Sequence, residues 1–298
     1  MNTSLLDGSF NFFNTFRVAS FRHNFKKSHP TYFDPDGLLV FCGPQGSGKT
    51  LSAVQYTKKV ADLYIYSVFC TNVSIKSMPV NCYYEIEEIN DTDYIVYYRL
   101  ISSKDLVRKV TVKEVDGETT SEIEKFLDVK IVVAYDGLNC IKYLANGLEG
   151  VLYLIDEIHL EFNSLESNNI PIEIMVEVSQ QRKQRKHIVG TSQVFMRMAK
   201  PLREQIKDVV ICKNFFHSIQ FNRLIDGDSA VEKNGKLVFD TVKYSLWFHS
   251  PELYSCYDTY AKMKRYRNEW HGVQRSNIYN LEEGEMIKWR SIIKLLEI

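Results

Sequence analysis

The eight residues Gly43-Pro44-Gln45-Gly46-Ser47-Gly48-Lys49-Thr50 constrain this chain more than any other feature. They follow a short apolar run, Leu38-Leu39-Val40-Phe41, that reads as a buried strand. They precede Thr50 to Leu63, where Leu51, Val54, Val60 and Leu63 recur as on one side of a helix. Strand, glycine loop and helix, in that order, let consecutive backbone N–H groups converge on a phosphate at a helix N-terminus. Gly43 and Gly48 permit the tight turn, Lys49 would bridge the β- and γ-phosphates, and the Thr50 hydroxyl would reach Mg²⁺. The expected nucleotide-contacting set is Gly43, Pro44, Gln45, Gly46, Ser47, Gly48, Lys49, Thr50 and Leu51.

A second apolar run, Val151-Leu152-Tyr153-Leu154-Ile155, leads straight into Asp156-Glu157. Five buried residues before a carboxylate place it at the carboxyl edge of a strand, where open α/β sheets bind ligands. Asp156 is then the second metal-side residue, with Thr50. Glu157 is positioned to polarise a water in line with the γ-phosphate. A carboxylate of that kind separates hydrolases from small-molecule kinases, which need none. The strand His187 to Gln193 ends in Thr191, Ser192 and Gln193; Gln193 is the expected γ-phosphate sensor, with the other two as alternates.

These alternations of strand and helix predict an α/β fold, a parallel sheet flanked by helices of the P-loop NTPase type. Residues 1–36 form an N-terminal arm in which Phe12, Phe13, Phe16, Phe21 and Phe25 interleave with basic residues. The arm packs on the main domain or docks a neighbouring subunit or an anionic membrane surface. Residues 37–215 are the nucleotide-binding domain, interrupted by a β-rich insertion at about 83–136. Residues 216–298 form an extension expected to hold a β-hairpin, a helix from Ser250-Pro251 to about Arg267, and another short helix in the last fifteen residues.

Thirty-seven basic residues balance thirty-seven acidic ones, so overall charge neither demands nor excludes a nucleic-acid partner. Locally, Arg182-Lys183-Gln184-Arg185-Lys186, Arg197 and Arg203 make a basic stretch. It reads as a solvated helix end, an arginine finger for a neighbour's site, or a phosphate-contacting DNA surface. Tyr260, Lys262, Lys264, Arg265, Tyr266 and Arg267 interleave rings with charge, as single-strand binders or amphipathic helices do. The six cysteines lack metal-ligand spacing and read as reduced core thiols. No secretory signal and no run of 18 apolar residues is visible.

The loop Gly43 to Thr50, the box Val151 to Phe162 and the run Ser179 to Lys213 together resemble the zonula occludens toxin (Zot) family. These are assembly ATPases of filamentous phages, related to the FtsK and HerA motors. The resemblance covers roughly residues 37 to 215, and its more specific part is the order of acidic box, basic run, Thr191-Ser192-Gln193 and Pro201-Leu202-Arg203. It implies an additional-strand fold, ATP hydrolysis with Mg²⁺, homo-oligomeric rings, and movement of phage DNA or export of virions. Partners would be DNA and phage or host envelope assembly proteins, in the host cytoplasm or peripherally at the inner membrane. Lys49, Thr50, Asp156 and Glu157 match by motif, and Arg203 matches the arginine after the sensor strand. Family members carry a membrane-spanning segment after the ATPase domain, and this sequence shows none, which favours packaging or morphogenesis over export.

Two other functions fit the residues. The string Asp156-Glu157-Ile158-His159 is a helicase-type box, although the residues after Asn214 are too few and too β-rich for a second RecA-like lobe. A non-hydrolysing, nucleotide-gated scaffold is opposed by Glu157. His159 itself reads as a packing or coupling residue.

Overall fold

The computed structural model describes residues 12–34, 36–78, 82–89, 94–100, 106–115, 118–123, 130–229, 231–233, 236–258, 277–279 and 286–288. The chain divides into two compact units, Met1–Tyr32 and Phe33–Ile298. The first is the helix α1, Phe12–Ser28, with basic residues in its last turn. Phe21 stacks on Phe25 with centroids 6.5 Å apart, although it is exposed as Phe16 is; Phe25 also stacks on His29 and meets Tyr32 edge-on.

The second unit is built on the strands the sequence marks as continuous apolar runs. β1 (Leu38–Cys42), β2 (Val68–Thr71), β7 (Val132–Ala134) and β8 (Val151–Ile155) are buried at every position, as strands covered on both faces must be. Between β2 and β7 run β3 (Cys82–Glu88), β4 (Tyr94–Leu100), β5 (Leu106–Val115) and β6 (Glu118–Ile123). After β8 come β9 (Lys186–Ser192), β10 (Ile206–Phe215), β11 (Ile219–Asp226), β12 (Val231–Lys233), β13 (Lys236–Val238) and β14 (Thr241–Phe248). A further two-stranded sheet pairs β15 (Asn277–Tyr279) with β16 (Met286–Lys288).

Twelve of these strands form one sheet in the order β14-β11-β10-β1-β9-β8-β2-β7-β3-β4-β5-β6. Its centre, β10-β1-β9-β8-β2-β7, is parallel. The residues expected as a β-rich insertion prolong this sheet beyond β7: β3 joins β7 in parallel, β4, β5 and β6 follow antiparallel, and β7 itself belongs to the parallel core. At the other edge β11 and β14 pair antiparallel to each other, but β11 also pairs with β10, so these strands are a wing of the main sheet rather than an appended hairpin. The expected helix after Ser250 is described only as α6, Pro251–Ser255, opened by the Ser250 side chain accepting from the Leu253 amide. Its continuation toward Arg267, and the cluster Tyr260 to Arg267, lie outside the described residues. Of the last fifteen residues, those described form strand β16, not a helix.

The helix α2, Lys49–Leu63, covers one face of the sheet, burying Leu51, Val54, Thr57 and Ala61 at helical spacing. The shorter helices α3 (Leu138–Tyr143), α4 (Ile172–Ser179) and α5 (Lys200–Arg203) cover the other face, with Ile141, Ile174, Val178 and Leu202 in the core. All six cysteines are buried, and none of them forms a disulfide. No helix among the described residues is long and apolar enough to cross a membrane.

Candidate active site

Gly43 to Gly48 lies between the carboxyl end of β1 and the first turn of α2. Gly48 caps α2 with a left-handed backbone, φ +77°, and a Cβ there would collide with the Gln220 side chain. A Cβ on Gly43 would strike the Ser47 side chain and come within 2.9 Å of the Cys212 carbonyl. Glycine is therefore required at both places by space, and at Gly48 by conformation as well. Pro44, Gln45 and Gly46 form the exposed tip, whereas Ser47 and Lys49 are buried. Leu51 sends its side chain into the apolar core beneath α2.

The carboxyl edges of β8 and β9 close on this loop. The Thr50 hydroxyl donates to Asp156 Oδ1 at 3.0 Å, and the Thr191 hydroxyl donates to the same oxygen at 2.5 Å. Asn72, just past β2, grips the Asp156 backbone twice: its amide donates to the carbonyl at 3.1 Å and its oxygen accepts from the N–H at 2.8 Å. Burial pushes the Asp156 carboxyl above its ordinary range, and the adjacent Glu157 adds to this; the hydroxyls of Thr191 and Thr50 and the charge of Lys49 oppose it. A desolvated carboxylate beside a hydroxyl is a ligand pair suited to a small hard cation.

Glu157 holds a left-handed backbone, φ 53°, a strained conformation for a residue with a Cβ. Its N–H donates to Thr191 Oγ1 at 2.9 Å, which fixes the turn. Its Oε1 lies 3.2 Å from Lys49 Nζ and accepts from Gln193 Nε2 at 3.3 Å. Oε2 lies 3.2 Å from Nδ1 of His159, without hydrogen-bond geometry, and Ser192 Oγ is 3.3 Å from that same nitrogen. His159 is thus beside Glu157.

The structure therefore brings together Lys49, Thr50, Asp156, Glu157 and Gln193 from segments more than a hundred residues apart. It does not bring Arg203 among them. Among the described residues the Arg203 guanidinium donates to Met196 Sδ at 2.7 Å and lies over the Phe195 ring. The basic stretch also loses a member: Lys186 is buried, donating to the Ile141 carbonyl at 2.7 Å and to Glu177 at 2.8 Å. Arg182 and Lys183 remain exposed.

Asn72, Thr191 as the clamp on both acidic residues, and Gln220 are the site residues that sequence reading passed over. Gln220, on β11 and wholly buried, donates to the Ser47 carbonyl at 3.0 Å and to Asn222 at 2.8 Å. Its oxygen lies 3.2 Å from Nε2 of His249, and its bond to Ser47 ties the glycine loop to the wing. A separate cavity of about 410 Å³, lined by Phe41, Tyr56, His187, Leu224 and Trp247 among others, runs along the flank of α2 and touches none of the acidic pair.

No family model and no curated protein matches this chain. Its structure is similar to the N-terminal domain of zonular occludens toxin from Neisseria meningitidis, at a TM-score of 0.44 and 14% identity, over 74% of this chain and 98% of that one. It is also similar to the genome packaging NTPase B204 from Sulfolobus turreted icosahedral virus 2 in complex with ATP-gammaS, at 0.42 and 12%, over 73% and 98%. A third similar structure is B204, the DNA-packaging ATPase from Sulfolobus Turreted Icosahedral Virus, at 0.41 and 13%, over 70% and 98%.

Proposed function

We propose that this chain is a Mg²⁺-dependent ATPase whose hydrolysis drives DNA packaging or virion assembly as a homo-oligomeric ring. The observation that carries the hydrolytic part is the cluster Lys49, Thr50, Asp156 and Glu157, gathered at the mouth of a glycine loop on the carboxyl edge of a parallel sheet. The cargo and the ring are what the motif resemblance implies.

The residues fit both groups the reaction requires. The loop is closed tightly enough to exclude a side chain at Gly43 and Gly48, and the Ser47 hydroxyl is buried there without a hydrogen-bond partner among the described residues. Backbone N–H groups of the loop and the Lys49 ammonium would hold the phosphates; Thr50 and Asp156 would hold the cation. When bound, Mg²⁺ neutralises charge on the phosphate oxygens. Glu157 then orients a water and accepts its proton. Lys49 neutralises Glu157 in the present arrangement, so its transfer to phosphate would free that carboxylate to act as base. Gln193, donating to Glu157 Oε1, links the end of β9 to the base and would report the phosphate's presence to it. Arg203, held by Met196 and Phe195, is a residue for a trans role only if that packing opens.

The test is ATP turnover by the full chain with and without DNA, together with native mass. DNA-stimulated turnover by an oligomer, lost by ~10²-fold or more in Lys49→Ala, is expected. DNA-independent turnover by a strict monomer would contradict the motor reading.

A further inference from the structure

The turn that joins β10 to β11 breaks a local rule. Its two central residues, Phe216 and His217, both hold left-handed backbones, φ 52° and 55°, between the Phe215 carbonyl and the Ser218 N–H that closes on it. Hairpin turns of this kind favour Asn-Gly, and side chains with a Cβ are strained there. The strain holds Phe216 87% exposed at the tip of the wing.

More rings follow on the face of the wing turned away from α2. The register sets Phe215 level with Ile219 and Phe248, Lys213 level with Phe221 and Leu246, and Arg223 level with Tyr244. Phe248 is 70% exposed and Tyr244 58%. Phe221 stacks on Tyr244 at 5.6 Å and meets Phe215 edge-on at 6.4 Å. The opposite face of the same strands, with Gln220, Asn222 and Trp247, is taken by the glycine loop and α2.

Two cations stand among these rings. Lys213 Nζ lies 4.8 Å from the Phe215 ring centre, and the Arg223 guanidinium lies 4.3 Å from that of Phe239. Neither cation has a carboxylate partner among the described residues, and no acid shares their rows. Exposed rings beside unpaired cations complement an anionic backbone whose bases are open, because every base has a face to stack and every phosphate a charge to neutralise. A duplex keeps its base faces stacked inside and offers the rings nothing.

We propose that this face of the wing binds single-stranded DNA, its rings stacking on bases and Lys213 and Arg223 meeting phosphates. The choice of DNA rests on the cargo in the proposed function; the stacking chemistry does not. Through Gln220 on β11, which donates to the Ser47 carbonyl, a strand seated here is one buried hydrogen bond away from the glycine loop.

Fluorescence anisotropy of the full chain with labelled oligo(dT) tests the surface, with melting and basal ATP turnover measured on the same samples. Phe248→Leu keeps an apolar side chain and removes the ring, so binding should weaken ~10-fold or more, and Phe248→Trp should restore it. Arg223→Gln should reduce the slope of log affinity against log salt by about 0.7, the share of one phosphate on a single strand. Full binding by Phe248→Leu overturns the proposal, since apolar contact would then suffice. An unchanged salt slope in Arg223→Gln overturns it too, as does a duplex of equal length that binds as tightly and suffers as much from Phe248→Leu. Tighter binding of oligo(rU) than of oligo(dT) overturns the choice of DNA. A wild type that ignores the oligonucleotide but self-associates, and is dispersed by Leu246→Glu, gives the face to a second copy and equally overturns it. Basal turnover keeps the two readings apart: hydrolysis without oligonucleotide binding condemns only this surface, and binding without hydrolysis condemns only the ATPase.

Discussion

The glycine loop is held from two sides that differ in chemistry. On the β8-β9 side stand two carboxylates, a lysine and a strained backbone, with Asp156 driven up by burial and Glu157 in a left-handed turn. On the β11-β14 side the loop meets only neutral amides and hydroxyls, Gln220 to the Ser47 carbonyl and Asn222 to Ser52. The first side holds a strained backbone and a desolvated carboxylate; the second pairs the amides it buries, Gln220 and Asn222, so those cost little. Under the proposed function the two flanks of one loop would carry separate tasks, chemistry on one and positioning on the other.

Breaking the first side should cost the most rate. Thr191→Val removes the hydroxyl that holds both Asp156 Oδ1 and the Glu157 N–H, leaving two buried groups short of a partner. Turnover should fall ~10-fold or more while nucleotide affinity changes little, and melting should show a loss of about 1–3 kcal/mol. A drop in affinity alone would place Thr191 on the positioning side instead.

Breaking the second side should do the reverse. Gln220→Leu leaves the Ser47 carbonyl unpaired and frees the loop from the wing. Nucleotide should bind several-fold more weakly, in line with about 1–2 kcal/mol for one lost buried hydrogen bond, with the turnover of saturated protein nearly unchanged. Isothermal titration beside steady-state kinetics reads the two quantities separately.

The smallest effect belongs to a group remote from both flanks. His187 donates from Nδ1 to the Gly37 carbonyl at 2.7 Å and accepts the Tyr56 hydroxyl at Nε2, and burial lowers its pKa below the ordinary histidine value. Above the unfolded value of ~6.5 both states are neutral, and the stabilising arrangement is fully present. Below it the unfolded chain binds the proton more readily than the folded one, so stability is lost as pH falls, by at most ~1.4 kcal/mol per pH unit for one proton. Melting temperature between pH 7 and pH 5 should therefore decline more steeply in wild type than in His187→Gln. Equal slopes would remove His187 from the account.

How much of this was legible in the sequence follows the same division. The loop and the pair Asp156-Glu157 are local strings, and a short apolar run before each fixes the strand edge at which it emerges. Asn72, Thr191 as a double clamp and Gln220 depend instead on strand order: β8 lies between β2 and β9, and β11 lies beside β10. No local spacing encodes those neighbours. The same reason explains why residues 83–136 read as an insertion. Their alternation shows strands, but nothing in it shows that β3 joins the core sheet at β7. On the arm, Phe21 and Phe25 stack four residues apart as helical spacing implies, while Phe16 is exposed.

The proposed function assigns hydrolysis, as opposed to binding, to Glu157, and a single turnover with protein in excess over radiolabelled ATP isolates it. Glu157→Gln keeps the shape and the acceptor to Gln193 but cannot take a proton. It should bind ATP as wild type does and leave it intact, with the chemical step slowed by ~10²-fold or more. Hydrolysis by Glu157→Gln at the wild-type rate would contradict the assignment of Glu157 as the base.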